Sequence, residues 1–70
     1  LRGLGRALQE ARDERGLTQE ALSLETGVHR NYIGGIERGE RSPSVVAIIT
    51  LASALRVPIA DLFRRAEQIR

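Results

Sequence analysis

Two short apolar patterns on either side of one glycine, in the stretch TQEALSLETGVHRNYIGGIE from Thr18 to Glu37, constrain this chain more than any other feature. They describe two short helices joined by a tight turn. If Gln19 opens the first helix, Leu22 points inward, Ser23 is small enough to let the second helix approach closely, and Gly27 takes the left-handed turn. Val28, Ile33 and Ile36 then close the pair with apolar contacts. Arg30, Asn31, Gly34 and Gly35 are left facing outward: two hydrogen-bonding side chains beside two positions without any. Such a surface is suited to meeting something polar and close.

A pair this short needs support from the rest of the chain. Seventy residues make one domain, residues 1–70, with a small core but without room for two layers and an internal active-site cleft. Function therefore belongs on the surface. The absence of Cys removes disulfides and thiolate metal sites, so stability must come from packing, ion pairing or a partner subunit, and a reducing cytoplasmic setting fits. The net charge is only +2, yet all eleven basic residues are Arg, whose planar fork matches phosphates and guanine edges. This leans towards nucleic acid. No signal peptide is apparent, and VVAIITLASAL is too short to span a bilayer, so no membrane partner is expected. A chain that begins at Leu1 suggests trimmed ends.

Taken in order, the periodicity predicts an all-α, five-helix domain. Leu4, Ala7, Leu8 and Ala11 form the stripe of a first helix over residues 2–15, ended by Gly16, with Arg12 at the stripe's edge and its stem along the core. Thr18 is a good N-cap for a second helix running to about Glu25; Glu20 suits the dipole in its first turn, and Ala21 stands where a full capping box would need Glu or Gln. The third helix runs from about His29 to Ile36. Gly34 and Gly35 each cost it roughly 1 kcal/mol relative to Ala, which a chain accepts most readily where something must come close.

The loop RGERSPS follows, with Gly39 placed to end the third helix in a left-handed conformation. Ser44 caps a fourth helix whose inward stripe is Val45, Ile48, Leu51, Ala52 and Leu55, with Val46 and Ile49 beyond it. Pro58 suits the first position of a fifth helix. Its stripe is Ile59, Leu62, Phe63, Ala66 and Ile69, the last two extended enough to outrun a monomer's core. No repeat, low-complexity stretch or long strand candidate competes with this reading.

The segments GLTQEALSLETGV, YIGGIERGERSPS, and LASALRV followed by DLF resemble the phage-repressor and Cro type of helix-turn-helix domain, also called the Xre family, over roughly residues 4–63. Within it, the run HRNYIGGIERGER is especially similar to the small controller proteins of restriction-modification systems. The resemblance implies a lambda-repressor-like DNA-binding fold of five helices, with Gln19 near a phosphate and the third helix in the major groove. Carried over, the groove-facing positions are His29, Arg30, Asn31, Gly34 and Gly35, and Arg12 pairs with Glu37, an arrangement that fixes helix register more surely than it adds stability. Three features depart from the family's pattern: His29 replaces the frequent Ser or Thr cap, Thr26 replaces an apolar residue, and positions 34 and 35 carry no side chain. The first two bear on local helix stability, and the third narrows which residues can read bases.

Each candidate also has a plainer role. Arg30 is matched to O6 and N7 of guanine, or contacts phosphate, or is simply solvated. Asn31 pairs with adenine or contacts a phosphate. Tyr32 sets its ring beside a thymine methyl or the backbone with its hydroxyl on a phosphate, or covers the edge of the core. His29, the only His, lacks the company a metal site needs and is better suited to capping or to a phosphate. Gln19, Arg38, Arg41 and the N–H groups near Thr18 and Gly39 would clamp phosphates, while Arg6 and Arg15 either add to the clamp or sit on a solvated face.

One such domain grips only a short half-site, so a two-fold dimer on a near-palindromic operator is expected. Val46, Ile49, Phe63 and Ile69 are the candidates for its surface, with packing between the fourth and fifth helices as the other role for Phe63. The reading is thus a DNA-binding transcriptional regulator of the cytoplasm and nucleoid, with double-stranded DNA and a second copy as partners and no cofactor or small-molecule ligand. The alternative is a helical protein-interaction module, antitoxin-like or the DNA-anchoring domain of a larger regulator. An enzyme is disfavoured by the absence of a second His, a Cys, a phosphate-cradling loop or a carboxylate pair in a cleft.

Overall fold

Local sequence signals set the helix ends. In the computed structural model, which describes residues 2–69, the elements are α1 (Arg2–Glu14), α2 (Gln19–Thr26), α3 (Arg30–Glu37), α4 (Val45–Leu55) and α5 (Ile59–Gln68). Three of the five begin at a side-chain cap: Thr18 Oγ1 accepts from the Ala21 N–H, His29 Nδ1 from the Asn31 N–H and Ser44 Oγ from the Ala47 N–H, each at 3.0 Å. Gly27 ends α2 at a φ of +77°, and its N–H donates to the Ser23 carbonyl at 2.8 Å. Thr26 uses both capacities of its hydroxyl at this corner, donating to the Leu22 carbonyl at 2.7 Å and accepting from the Val28 N–H at 3.1 Å. The polar residue at that position therefore reinforces the turn.

Gly39, at a φ of +79°, closes α3, while Arg56 ends α4 in the left-handed region at +58° despite its side chain. Pro58 occupies the cap of α5 instead of its first helical position. The chain bends by 99° between α4 and α5, and among the described residues no single helix is long and apolar enough to cross a membrane.

Packing follows from the stripes. Leu8, Leu22, Ile33, Ile36, Leu51, Leu55 and Leu62 are fully buried, so every helix contributes to one core. α1 is the central element, lying mainly against α5 and α3, while α2 packs on α3 and α4. Two glycines of α1 permit this closeness: a Cβ on Gly3 would collide with the Ala66 carbonyl of α5, and one on Gly5 with the Ile36 carbonyl of α3. Arg65 of α5 reinforces the first of these contacts by donating from both terminal nitrogens to the Glu14 carboxylate, each at 3.0 Å.

The apolar stripes need three corrections. Val45, expected inward, is 73% exposed like Val46, because burial in α4 begins only at Ala47 and its first turn projects past the packed part. Ile69 and Ala66, expected to outrun the core, are half-buried against it, since Gly3 lets α5 settle onto α1. Phe63 is not packed between α4 and α5; it stands 46% exposed beside Gly3, Leu4, Ala66 and Glu67.

Candidate nucleic-acid interface

The outer face of α2 and α3 is built on a buried ion pair. Arg12 Nε donates to Glu37 Oε2 at 2.7 Å and Nη2 to Oε1 at 3.0 Å, with the two residues 8% and 9% exposed. The remaining valences are used as well. Arg12 Nη1 donates to the Leu17 carbonyl at 2.7 Å, and Gln19 Nε2 donates to Glu37 Oε1 at 2.9 Å. One guanidinium and one carboxylate thus join α1, the loop before α2, the start of α2 and the end of α3. The hydrogen bond to Glu37 raises the Arg12 pKa above its ordinary value, outweighing the opposing effect of burial. Among the described residues no buried side-chain nitrogen or oxygen is left without a partner.

On this frame, Arg30 and Asn31 stand exposed in the first turn of α3. Arg30 Nη1 lies 3.8 Å from a carboxylate oxygen of Glu20, which projects from the first turn of α2. Gly34 and Gly35 do not present the bare surface expected of them: both are buried. A Cβ on Gly34 would meet Arg38 Nη1 at 2.9 Å and Gln19 Oε1 at 3.3 Å, and one on Gly35 would meet the Arg41 stem at 2.5 Å. The missing side chains make two seats, and long polar arms from the flanks lie in them. Arg38 is also paired with Glu40 at 3.2 Å.

Tyr32 covers the edge of the core, the plainer of the roles expected of it. Its hydroxyl donates to the Ser42 carbonyl at 3.2 Å and accepts from the Ser44 N–H at 2.9 Å, and its ring packs against the core. The Arg41 guanidinium lies over that ring, 5.3 Å from its centroid. Tyr32 is therefore a strut that holds the loop feeding α4. Tyr32→Phe should remove both bonds and cost about 1 kcal/mol, read as a lower unfolding midpoint together with faster amide exchange at Ser44. Exchange unchanged at Ser44 would deny the strut.

The Helix-turn-helix family model (HTH_3) matches residues 8–62, most of the chain and all of the face just described. The chain belongs to this helix-turn-helix family. Its fold is similar to that of the restriction-modification controller protein C.AhdI from Aeromonas hydrophila, with a TM-score of 0.85 and 44% identity, covering 89% of this chain and 94% of that one. By sequence it is 37% identical over 62 residues to the control protein C.SmaI of Serratia marcescens, covering 89% of this chain and 74% of that protein. It is also 37% identical over 59 residues to y4dJ of Sinorhizobium fredii, described as an HTH-type transcriptional regulator, covering 84% of this chain and 77% of the relative.

Within this helix-turn-helix, the remaining candidates divide. Thr18 and His29 cap α2 and α3, and Gln19 is tied to Glu37, so all three are held in place at the entrance of their helices. Arg38 and Arg41 lie at the far end of α3. Arg15 is drawn away from the face, donating to the Ala54 carbonyl, and Arg6 stands 4.0 Å from Glu10 within α1. Of the four apolar candidates for a dimer surface, Val46 and Ile49 are exposed together on α4 and Phe63 separately on α5, whereas Ile69 is turned towards the core. Sequence reasoning did not single out Glu20 and Glu40 as partners of Arg30 and Arg38. The nearest signal was that Glu20 and Arg30 each fall in the first turn of adjoining helices.

Proposed function

We propose that this chain is a sequence-specific DNA-binding transcriptional regulator, which grips a near-palindromic operator as a homodimer with α3 in the major groove. The observation that carries the reading is the first turn of α3. There Arg30 and Asn31 stand side by side and exposed on a helix whose far end is locked by the buried Arg12–Glu37 pair. A rigid element that presents a fork and an amide is what bidentate reading of guanine and adenine requires.

Around this reader, Gln19, the Thr18 hydroxyl, the His29 ring, Arg38 and Arg41 supply phosphate contacts, which set position and not sequence. Arg38 and Arg41 leave their glycine seats as they engage, and the vacated Gly34 and Gly35 let the backbone of α3 come close. Two copies with their third helices about 34 Å apart match one turn of DNA. The exposed valines and Ile49 on α4, with Phe63, are the apolar surface available for that pairing. The likeness to C.AhdI and C.SmaI supports a role as a restriction-modification controller.

Selection of bound duplexes from a random pool tests this directly. A palindrome with half-sites one turn apart is expected, with affinity that falls steeply as salt rises. Arg30→Ala should lose about 1–3 kcal/mol of discrimination at one base pair of each half-site. Recovery of no common sequence, or binding indifferent to salt, would refute the proposal.

A further inference from the structure

The first turns of α2 and α3 are each fixed by a cap, Thr18 Oγ1 on the Ala21 N–H and His29 Nδ1 on the Asn31 N–H. From these two fixed turns Glu20 and Arg30 reach towards each other. Their charged ends stand 3.8 Å apart, with side chains 69% and 60% exposed. Among the described residues neither side chain makes another ion pair. A pair this exposed adds little to folding stability. On a face that meets phosphates a carboxylate is also repelled, so Glu20 weakens binding unless it does something selective.

The geometry of a guanidinium supplies that selectivity. It carries five N–H donors in a planar fork. Guanine uses two of them through O6 and N7, which leaves another edge for a carboxylate. A phosphate carries a full negative charge, and taking the guanidinium would bring that charge up to the Glu20 carboxylate 3.8 Å from Arg30 Nη1, which repels it. The pair with Glu20 is therefore compatible with Arg30 on neutral guanine and opposed by charge repulsion when Arg30 takes a phosphate.

We propose that Glu20 is a specificity-determining residue that buttresses Arg30, holding its guanidinium towards the base edge and disfavouring its use as a phosphate contact. This inference rests on the DNA-reading function proposed above. Glu40 differs in kind. It lies two residues from Arg38 in the same loop, 3.2 Å away, and moves with the arm it neutralises, whereas Glu20 acts from a separate helix.

The test compares binding of the selected operator and of a random duplex of equal length, at one salt concentration, for wild type, Glu20→Gln and Glu20→Asp. Each variant is first matched to wild type in helix content by circular dichroism, a condition the exposed position makes easy to meet. Glu20→Gln should strengthen binding to the random duplex roughly two- to fivefold, the equilibrium equivalent of an exposed ion pair, with operator binding unchanged or weaker. The lost discrimination should fall at the base pair that Arg30→Ala also affects. Glu20→Asp keeps the charge but draws the carboxylate back by one methylene, and should lower the operator-to-random ratio as well. In an Arg30→Ala background, Glu20→Gln should change both duplexes equally.

A ratio unchanged in Glu20→Gln, or one that falls equally when Arg30 is absent, overturns the role of Glu20 and leaves DNA reading intact. Wild-type protein that shows no preference between the duplexes overturns the DNA-reading function, and this inference with it.

Discussion

Glu37→Ala is expected to cost about 3–5 kcal/mol of stability, the usual consequence of stranding one half of a buried ion pair. Arg12 would keep its bond to the Leu17 carbonyl and the exposed Asp13 carboxylate 3.4 Å from its Nη1, but lose both bonds to Glu37 in a site that leaves it 8% exposed. Deprotonation offers no escape, because a guanidinium stays charged at any pH a protein tolerates. Domains hold about 5–15 kcal/mol in total, and a seventy-residue chain lies towards the lower end. The thermal midpoint should therefore fall by at least about 12 °C, or the variant should be unfolded at room temperature. Replacing both partners, Arg12→Met with Glu37→Leu, should restore most of the loss, since no charge is then stranded. The recovery should be incomplete because the Leu17 carbonyl and the Gln19 amide lose their partners. A single variant within 1 kcal/mol of wild type, measured by chemical unfolding, would mean that water reaches Arg12 and that the pair is not a lock.

That lock was legible in the sequence only through resemblance, and the contrast with what spacing alone conveyed is instructive. Caps and turns are written locally. Thr18, Ser44, Gly27 and Gly39 sit where the chain must satisfy its own backbone within four residues, and the structure uses them in that way. Stripes are written by period, so Leu8, Leu22, Ile33, Leu51 and Leu62 could be assigned inward before any packing was known. Period does not say how far a neighbouring element extends. Val45 and Ile69 therefore lie otherwise than their stripes predict, because one depends on where the packed part of α4 begins and the other on how closely α1 lets α5 approach.

Contacts between elements through long side chains were the least legible part of the site. Tyr32 finds its partners ten and twelve residues onward, at Ser42 and Ser44. Arg38 and Arg41 fold back over the glycines of α3. Only the Arg38–Gly34 contact, four residues apart, follows helical spacing; the reach of Tyr32 to Ser42 and Ser44 and of Arg41 to Gly35 has no period to announce it. The site's residue types are visible in the sequence, but which of them stand exposed, which hold the loop before α4 and which fold back over α3 is set by the geometry.

The glycines show the same limit most sharply, because an identical substitution should have opposite effects at two of them. Within a helix, Gly→Ala gains about 1 kcal/mol from backbone propensity. At Gly5 the new Cβ would collide with the Ile36 carbonyl and stand 2.9 Å from the Glu37 carbonyl. Both are backbone atoms at the locked end of α3, so neither partner can yield without separating α1 from α3. Overpacking of this kind costs about 1–3 kcal/mol or more. Backbone against backbone belongs at the upper end, so Gly5→Ala should lose about 2 kcal/mol net and weaken the Arg12–Glu37 contact with it.

At Gly34 the neighbours are the ends of two flexible side chains, Arg38 Nη1 and Gln19 Oε1. Arg38 can swing aside, and Gln19, held to Glu37, needs to give by only a few tenths of an ångström, so the propensity gain should survive, leaving Gly34→Ala as stable as wild type or up to about 1 kcal/mol more so. If α3 lies in the major groove as proposed, operator affinity should nevertheless fall, because the added methyl then stands between α3 and the bases. Paired unfolding and binding measurements on the two variants separate the roles. A glycine kept for internal packing loses stability first and binding as a consequence, whereas one kept for close approach to DNA loses binding while stability holds. If both variants lose stability alike, Gly34 belongs to the packing of the fold and its place in the interface is withdrawn.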